Sequence, residues 1–199
     1  MDTIVFDIET QNFFTDENVG RDNFAALKIS VVALYSYDKD KYFSFLETEI
    51  GEIMNMMRQA GRIVGFSSNR YDIPVLNLYF ERYSPKDSDY INGKFDRVDL
   101  WKKERIDLLD EIELATGSRI SLDRLAEANL DFKKTHHSWE AISLYKEGKI
   151  DELRDYCIND VRITKELYDL WKNNRALLVP NRKTGENKKI LFSGQVKLF

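Results

Sequence analysis

The apolar residues of this chain change period near residue 48, and that change constrains the fold more than any other feature. Before it they run as strands. Thr3–Ile8 is a short β-branched and aromatic run between polar residues, and Lys28–Tyr37 (KISVVALYSY) is the strongest strand candidate in the chain. The polar segment Gln11–Asn23 reads as the loop between them. Tyr42–Leu46 returns after an Asp38-Lys39-Asp40-Lys41 turn, so three strands follow one another. From Thr48 to Gln59 the spacing is helical (Ile50, Ile53, Met54, Met57), and Gly61 is expected to stop that helix. Arg62–Phe66 reads as a fourth strand, Asp72–Tyr83 as a helix with Pro74 in its first turn, and Phe95–Leu100 as a fifth strand. From Ile106 to Trp171 the pattern is helical, interrupted at Gly117, Phe132–Ser138 and Gly148, with Ser121 as an N-cap. This order predicts an α/β domain over residues 1–172, built on a mixed five-stranded sheet flanked by helices. The first three strands form an antiparallel meander. Residues 173–199 are left as a tail, in which Pro180 is expected to end the last helix. A Lys183-Thr184-Gly185-Glu186 turn there is expected to fold a hairpin or an extended arm.

A hydrophobic content of 43% with 13% aromatic residues is enough for a packed core and excludes a disordered chain. No apolar run reaches the ~18 residues of a membrane span. The start, Met-Asp-Thr-Ile-Val-Phe-Asp, lacks the basic and apolar segments of a signal peptide. Cys157 is the single cysteine, which excludes an intramolecular disulfide and a cysteine-rich zinc site. These features together lead us to expect a cytoplasmic protein. A net charge of −4 argues against a protein that coats nucleic acid non-specifically, but it suits a site built of carboxylates. The tail differs, with Arg175, Arg182, Lys183, Lys188, Lys189 and Lys197 against Glu186 alone. It reads either as a solubilising terminus or as a contact for a polyanion.

The acidic residues carry the chemistry. Asp7 and Glu9 stand two residues apart at the end of the first strand. Alternation puts them on one side with Val5, and Ile4, Phe6 and Ile8 on the other. Like charges aimed the same way at the end of an apolar strand repel, and burial adds to the cost. A hard divalent cation relieves both. The competing reading is a strand that ends at Phe6 and two solvated acids. Asp72 follows the small polar loop Gly65–Tyr71 and opens a helix; alone it reads as a helix cap. Tyr156 and Asp160 have i, i+4 spacing on a strongly helical stretch and share one face. Their competing reading is a half-buried tyrosine and a surface acid.

Taken in order, the three groups resemble the motifs of the DEDD superfamily of 3′→5′ exonucleases. The Asp-x-Glu-Thr motif stands as Asp7-Ile8-Glu9-Thr10, the second as Asn69-Arg70-Tyr71-Asp72, and the Tyr-x-x-x-Asp motif as Tyr156 to Asp160. Members that use histidine place it five residues before the last aspartate, where this chain has Asp155. The chain therefore resembles the tyrosine (DEDDy) subclass. Gly65–Leu76, Ile120–Thr135 and Tyr156–Tyr168 resemble, in particular, the proofreading exonuclease domain of family B DNA polymerases and stand-alone relatives of it.

The resemblance implies a ribonuclease-H-like fold and two divalent cations, Mg²⁺ or Mn²⁺, held by Asp7, Glu9, Asp72 and Asp160. It implies that Asp7 is shared by both ions, that Glu9 and Asp160 complete one, and that Asp72 supports the other. Tyr156 orients the attacking water, since a phenol with an ordinary pKa near 10 is a poor base at neutral pH. The implied substrate is single-stranded nucleic acid or a 3′ end, contacted by Thr10, Asn69 and Tyr71, and the implied product is a nucleoside 5′-monophosphate. Lys133, Lys134, His136 and His137 form a polar, basic loop that suits phosphate contacts. A polymerase or DNA-repair partner is consistent with such an enzyme, whereas a membrane is not. Two other readings share the motifs: a structure-specific endonuclease of the same fold, and a catalytically silent module that only binds nucleic acid. The full set of carboxylates and the tyrosine argue against the silent module.

Overall fold

The computed structural model describes residues 1–17, 19–20, 22–84, 97–130, 140–174, 176–181 and 184–191. Five strands make one mixed sheet in the order β3-β2-β1-β4-β5. They are β1 (Asp2–Thr10), β2 (Ile29–Ser36), β3 (Lys41–Leu46), β4 (Ala60–Gly65) and β5 (Glu104–Asp107). β1, β2 and β3 form the expected antiparallel meander, while β4 and β5 join parallel to β1 and to each other. Among the described residues six helices accompany the sheet: α1 (Ile50–Gln59), α2 (Asp72–Tyr83), α3 (Leu108–Thr116), α4 (Leu122–Asn129), α5 (Glu140–Lys146) and α6 (Ile150–Asn174).

Every residue of β2 is buried, because both faces of the sheet are covered. Ile4, Phe6 and Ile8 of β1 point into a core shared with α1 and α2. Val5, on the opposite face, joins a core made with α3, α4, α5 and α6. A second, two-stranded sheet, β6 (Ala176–Pro180) and β7 (Asn187–Leu191), is an antiparallel hairpin. Its Leu177, Val179 and Ile190 are buried in that same core, and Asn129 of α4 pairs with both the amide and the carbonyl of Leu178. Among the described residues no helix is long and apolar enough to cross a membrane.

Several boundaries differ from expectation. The fifth strand is Glu104–Asp107, not Phe95–Leu100. Residues 95–96 lie outside the described residues, and Val98 and Leu100 are buried in the α1–α2 core without pairing to a strand. Ile106 therefore belongs to β5, and helix begins only at Leu108. Glu47–Glu49 is a 3-10 turn ahead of α1. Gly61 does not stop α1. It lies inside β4, where a Cβ would come within 2.6 Å of the Met1 side chain. Pro180 closes β6 opposite Asn187; the last helix has already ended at Asn174. Gly117 does end α3, in a left-handed conformation, and Ser121 does cap α4 through Arg124 N–H. The expected interruption at Phe132–Ser138 lies outside the described residues, as do Lys133, Lys134, His136, His137 and the tail residues Arg175, Arg182, Lys183 and Lys197.

Candidate metal centre

Asp7 and Glu9 stand opposite Ala33 and Val31 on β2, on the sheet face that α6 crosses. The period of β1 aims both carboxylates at that helix. On α6, the i, i+4 spacing turns Tyr156 and Asp160 back toward the strand. As a result one carboxylate oxygen each from Asp7, Glu9 and Asp160 lies within 4.8 Å of the others. All three side chains are half-buried. At that spacing each pair of full charges repels by about 3 kcal/mol at an effective dielectric near 20.

The titration of the group reflects this crowding. Burial, then the charges of Asp72, Glu9 and Asp160, push Asp7 well above the ordinary carboxylate range. Glu9 is raised in the same way, by burial and then by Asp160 and Asp72. Neither Asp7 nor Glu9 forms an ion pair with a lysine or arginine among the described residues. Three hard oxygens of this kind, without a protein cation to balance Asp7 and Glu9, fit a divalent metal ion.

Asp72 approaches from the other side of β1. It is the first residue of α2, and its carboxylate is not the helix cap. Oδ1 accepts a 3.0 Å hydrogen bond from the amide of Ile8, between the two acidic residues of the strand. The residue is 4% exposed, and burial lifts its pKa to about 7 despite that amide. Its charge acts on both Asp7 and Glu9, but it is not one of the three tightly clustered ligands. Tyr156 is half-buried; burial first, then Glu9, Asp160 and Asp7, raise its pKa far above that of an ordinary phenol. Its hydroxyl therefore keeps its proton at neutral pH.

The remaining expected contacts are tied to one another. Thr10 is buried at a bulge in β1; its hydroxyl donates to Asn12 O at 2.9 Å and meets the Tyr71 hydroxyl at 2.8 Å. The Tyr71 ring stands edge-on to Phe14, 5.8 Å away. Asn69 donates from Nδ2 to Asp110 at 2.7 Å, while its Oδ1 is buried without a partner.

Two residues near the centre were not expected from the sequence. Asp107, at the end of β5, is 3% exposed and accepts from the amides of Ser67, Asn69, Leu109 and Asp110. It caps α3 and pins the Ser67–Asn69 loop that leads into Tyr71 and Asp72, where Ser67 holds a left-handed φ of 63°. An acid directly before the apolar run Leu108-Leu109 is an N-cap signal that was hidden by placing the helix start at Ile106. Asp107→Ala leaves four amides without their acceptor, so thermal or urea unfolding should show a loss of about 3 kcal/mol. The second residue is Cys157, which is buried against Asp7.

A family model described as a predicted 3'-5' exonuclease related to the exonuclease domain of PolB matches residues 28–189. The match includes Asp72, Tyr156 and Asp160 and begins after the strand that carries Asp7 and Glu9. Among solved structures, the family B DNA polymerase from the hyperthermophilic archaeon Pyrobaculum calidifontis aligns with a TM-score of 0.63 at 20% identity. The alignment covers 86% of this chain and 24% of that one, so the chain spans about a quarter of the polymerase's length. At this identity the likeness is one of fold, the ribonuclease-H-like α/β fold of a polymerase exonuclease domain. No curated protein matches the chain.

Proposed function

The chain belongs to the family of predicted 3'-5' exonucleases related to the exonuclease domain of PolB, and from that premise we propose that it shortens single-stranded DNA or RNA from the 3′ end. The released product is a nucleoside 5′-monophosphate. The observation that carries the proposal is the convergence of Asp7, Glu9 and Asp160, with oxygens within 4.8 Å, on the face reached by Tyr156. Asp7, Glu9 and Asp160 are the residues to hold one divalent cation, and Asp7 with Asp72 a second, as Mg²⁺ or Mn²⁺. Bound there, such ions neutralise the phosphodiester and lend Lewis acidity to water and to the leaving oxygen.

The chain's own groups do the placing. Tyr156 donates its hydroxyl hydrogen to the attacking water and fixes its approach, and the raised pKa excludes it as the base. The bulge at Glu9/Thr10 turns main chain toward the terminal sugar. The Thr10 hydroxyl is already engaged, so its part is to hold Tyr71 rather than to bind substrate directly. Tyr71 offers a ring edge beside the centre, and Asn69, held by Asp110 at 2.7 Å, supports the loop that carries it. The tail hairpin is a candidate contact for the strand or for a polymerase or repair partner, with Lys188 and Lys189 exposed on β7.

The test uses 5′-labelled single-stranded DNA and RNA with Mn²⁺ and then EDTA. A ladder shortening from the 3′ end that stops with EDTA is the expected result, and the faster oligomer names the substrate. Internal cuts would refute exonuclease action, and intact oligomers would refute the enzyme.

A further inference from the structure

Cys157 is fully buried on α6, one residue after Tyr156 and three before Asp160. Its sulfur lies 3.5 Å from the main-chain oxygen of Asp7 and 3.6 Å from Asp7 Oδ2. It also stands apart from the three clustered ligand oxygens. Among the described residues its thiol is a side-chain donor within reach of the Asp7 carboxylate.

We infer that Cys157 is a positioning residue: its thiol donates to Asp7 and fixes the rotamer that turns the other carboxylate oxygen toward Glu9 and Asp160. A thiol suits the place because it packs as a small apolar group among Val5, Leu153 and Val161 while giving one weak hydrogen bond upward. The inference rests on the metal-centre reading above.

The test is calorimetric titration of Mn²⁺ into the metal-free full chain. Cys157→Ala removes the donor. Leu167→Ala, a larger truncation of the same helix in the same core, serves as the control for loosened packing. Cys157→Ala is expected to weaken Mn²⁺ binding by about five- to tenfold, the low end for an outer partner of a ligand because a thiol donates weakly. Leu167→Ala is expected to lower the melting temperature more, yet to leave the affinity within about twofold. If Cys157→Ala does not fold, Cys157→Val fills the site without a donor and carries the same comparison. Parental affinity in the donor-less variant, or an equal loss in Leu167→Ala, overturns the inference alone. A parent that binds no Mn²⁺ overturns it together with the metal-centre reading.

Discussion

Replacing Asp160 by alanine lowers nucleotide release from a 5′-labelled oligomer about a thousandfold, and the metal-free variant melts no lower than its parent. The two halves of this result have one cause. Asp160 supplies one of three oxygens held within 4.8 Å, so its loss removes a third of the negative charge that attracts a cation. A thousandfold in rate corresponds to about 4 kcal/mol, a size consistent with losing one ligand of a Lewis-acid centre. In the protein without metal the same carboxylate repels Asp7 and Glu9, and it raises the pKa of both. Removing it relieves that repulsion. A residue that only supported the fold would lose activity and stability together. Asp155→Ala is the control, since Asp155 is exposed on the same helix at the position where the histidine subclass keeps its histidine. It should retain activity within about twofold, as a surface substitution away from any ligand. If Asp160→Ala keeps more than about a tenth of the rate, the assignment of Asp160 to the centre is wrong.

The parts of the site that could be read from the sequence are those fixed by backbone period. Alternation along β1 separates Val5, Asp7 and Glu9 from Ile4, Phe6 and Ile8 whatever the strand packs against, and one core receives Val5 while the other receives Ile4, Phe6 and Ile8. Helical spacing likewise fixes Tyr156 and Asp160 to one face. Pro74 near the start of an apolar periodic run marks α2 to the residue. What the sequence hid depends on tertiary partners. β5 has four residues, three of them charged, and exists because β4 offers its edge and Arg62 pairs with Glu104 at 2.7 Å. Val98 and Leu100 carry a strand-like alternation that records burial alone. Gly61 looks like a helix stop, but its reason is the close approach of Met1. Asp107 and Cys157 have roles that arise only when residues far apart in the chain meet, at Ser67 and Asn69 for one and at Asp7 for the other.

The second large effect concerns stability against pH, and it follows from holding buried acids together. Metal-free protein should melt about 10 °C lower at pH 8 than at pH 5, and Mn²⁺ should restore most of the difference at pH 8 while doing little at pH 5. Asp72 carries the clearest share. Its pKa is 3.8 in the unfolded chain and about 7 in the folded one. Between those values the folded state binds the extra proton, so stability is highest below about pH 4, falls as pH rises through the window, and is level above about pH 7. Of that shift the two units between pH 5 and pH 7 correspond to roughly 3 kcal/mol, and each kcal/mol moves the melting temperature of a domain this size by about 2–4 °C. Asp7 and Glu9 are raised by the same causes and act in the same direction. Glu113, whose pKa the hydrogen bond from Arg70 lowers, pushes the other way, so the decisive comparison is with Asp72→Asn. The amide keeps an oxygen to accept from Ile8 N–H and has no charge to bury. Its melting temperature in EDTA should overtake that of the parent as the pH rises, with the difference growing between pH 5 and 7 and constant beyond. Cations compete with protons for the same oxygens, which is why Mn²⁺ stabilises the parent at pH 8 and loses that effect in acid. Parallel curves for parent and Asp72→Asn across that range would show that Asp72 ionises normally in the folded state, and the strain ascribed to the carboxylates around β1 would then have to lie elsewhere.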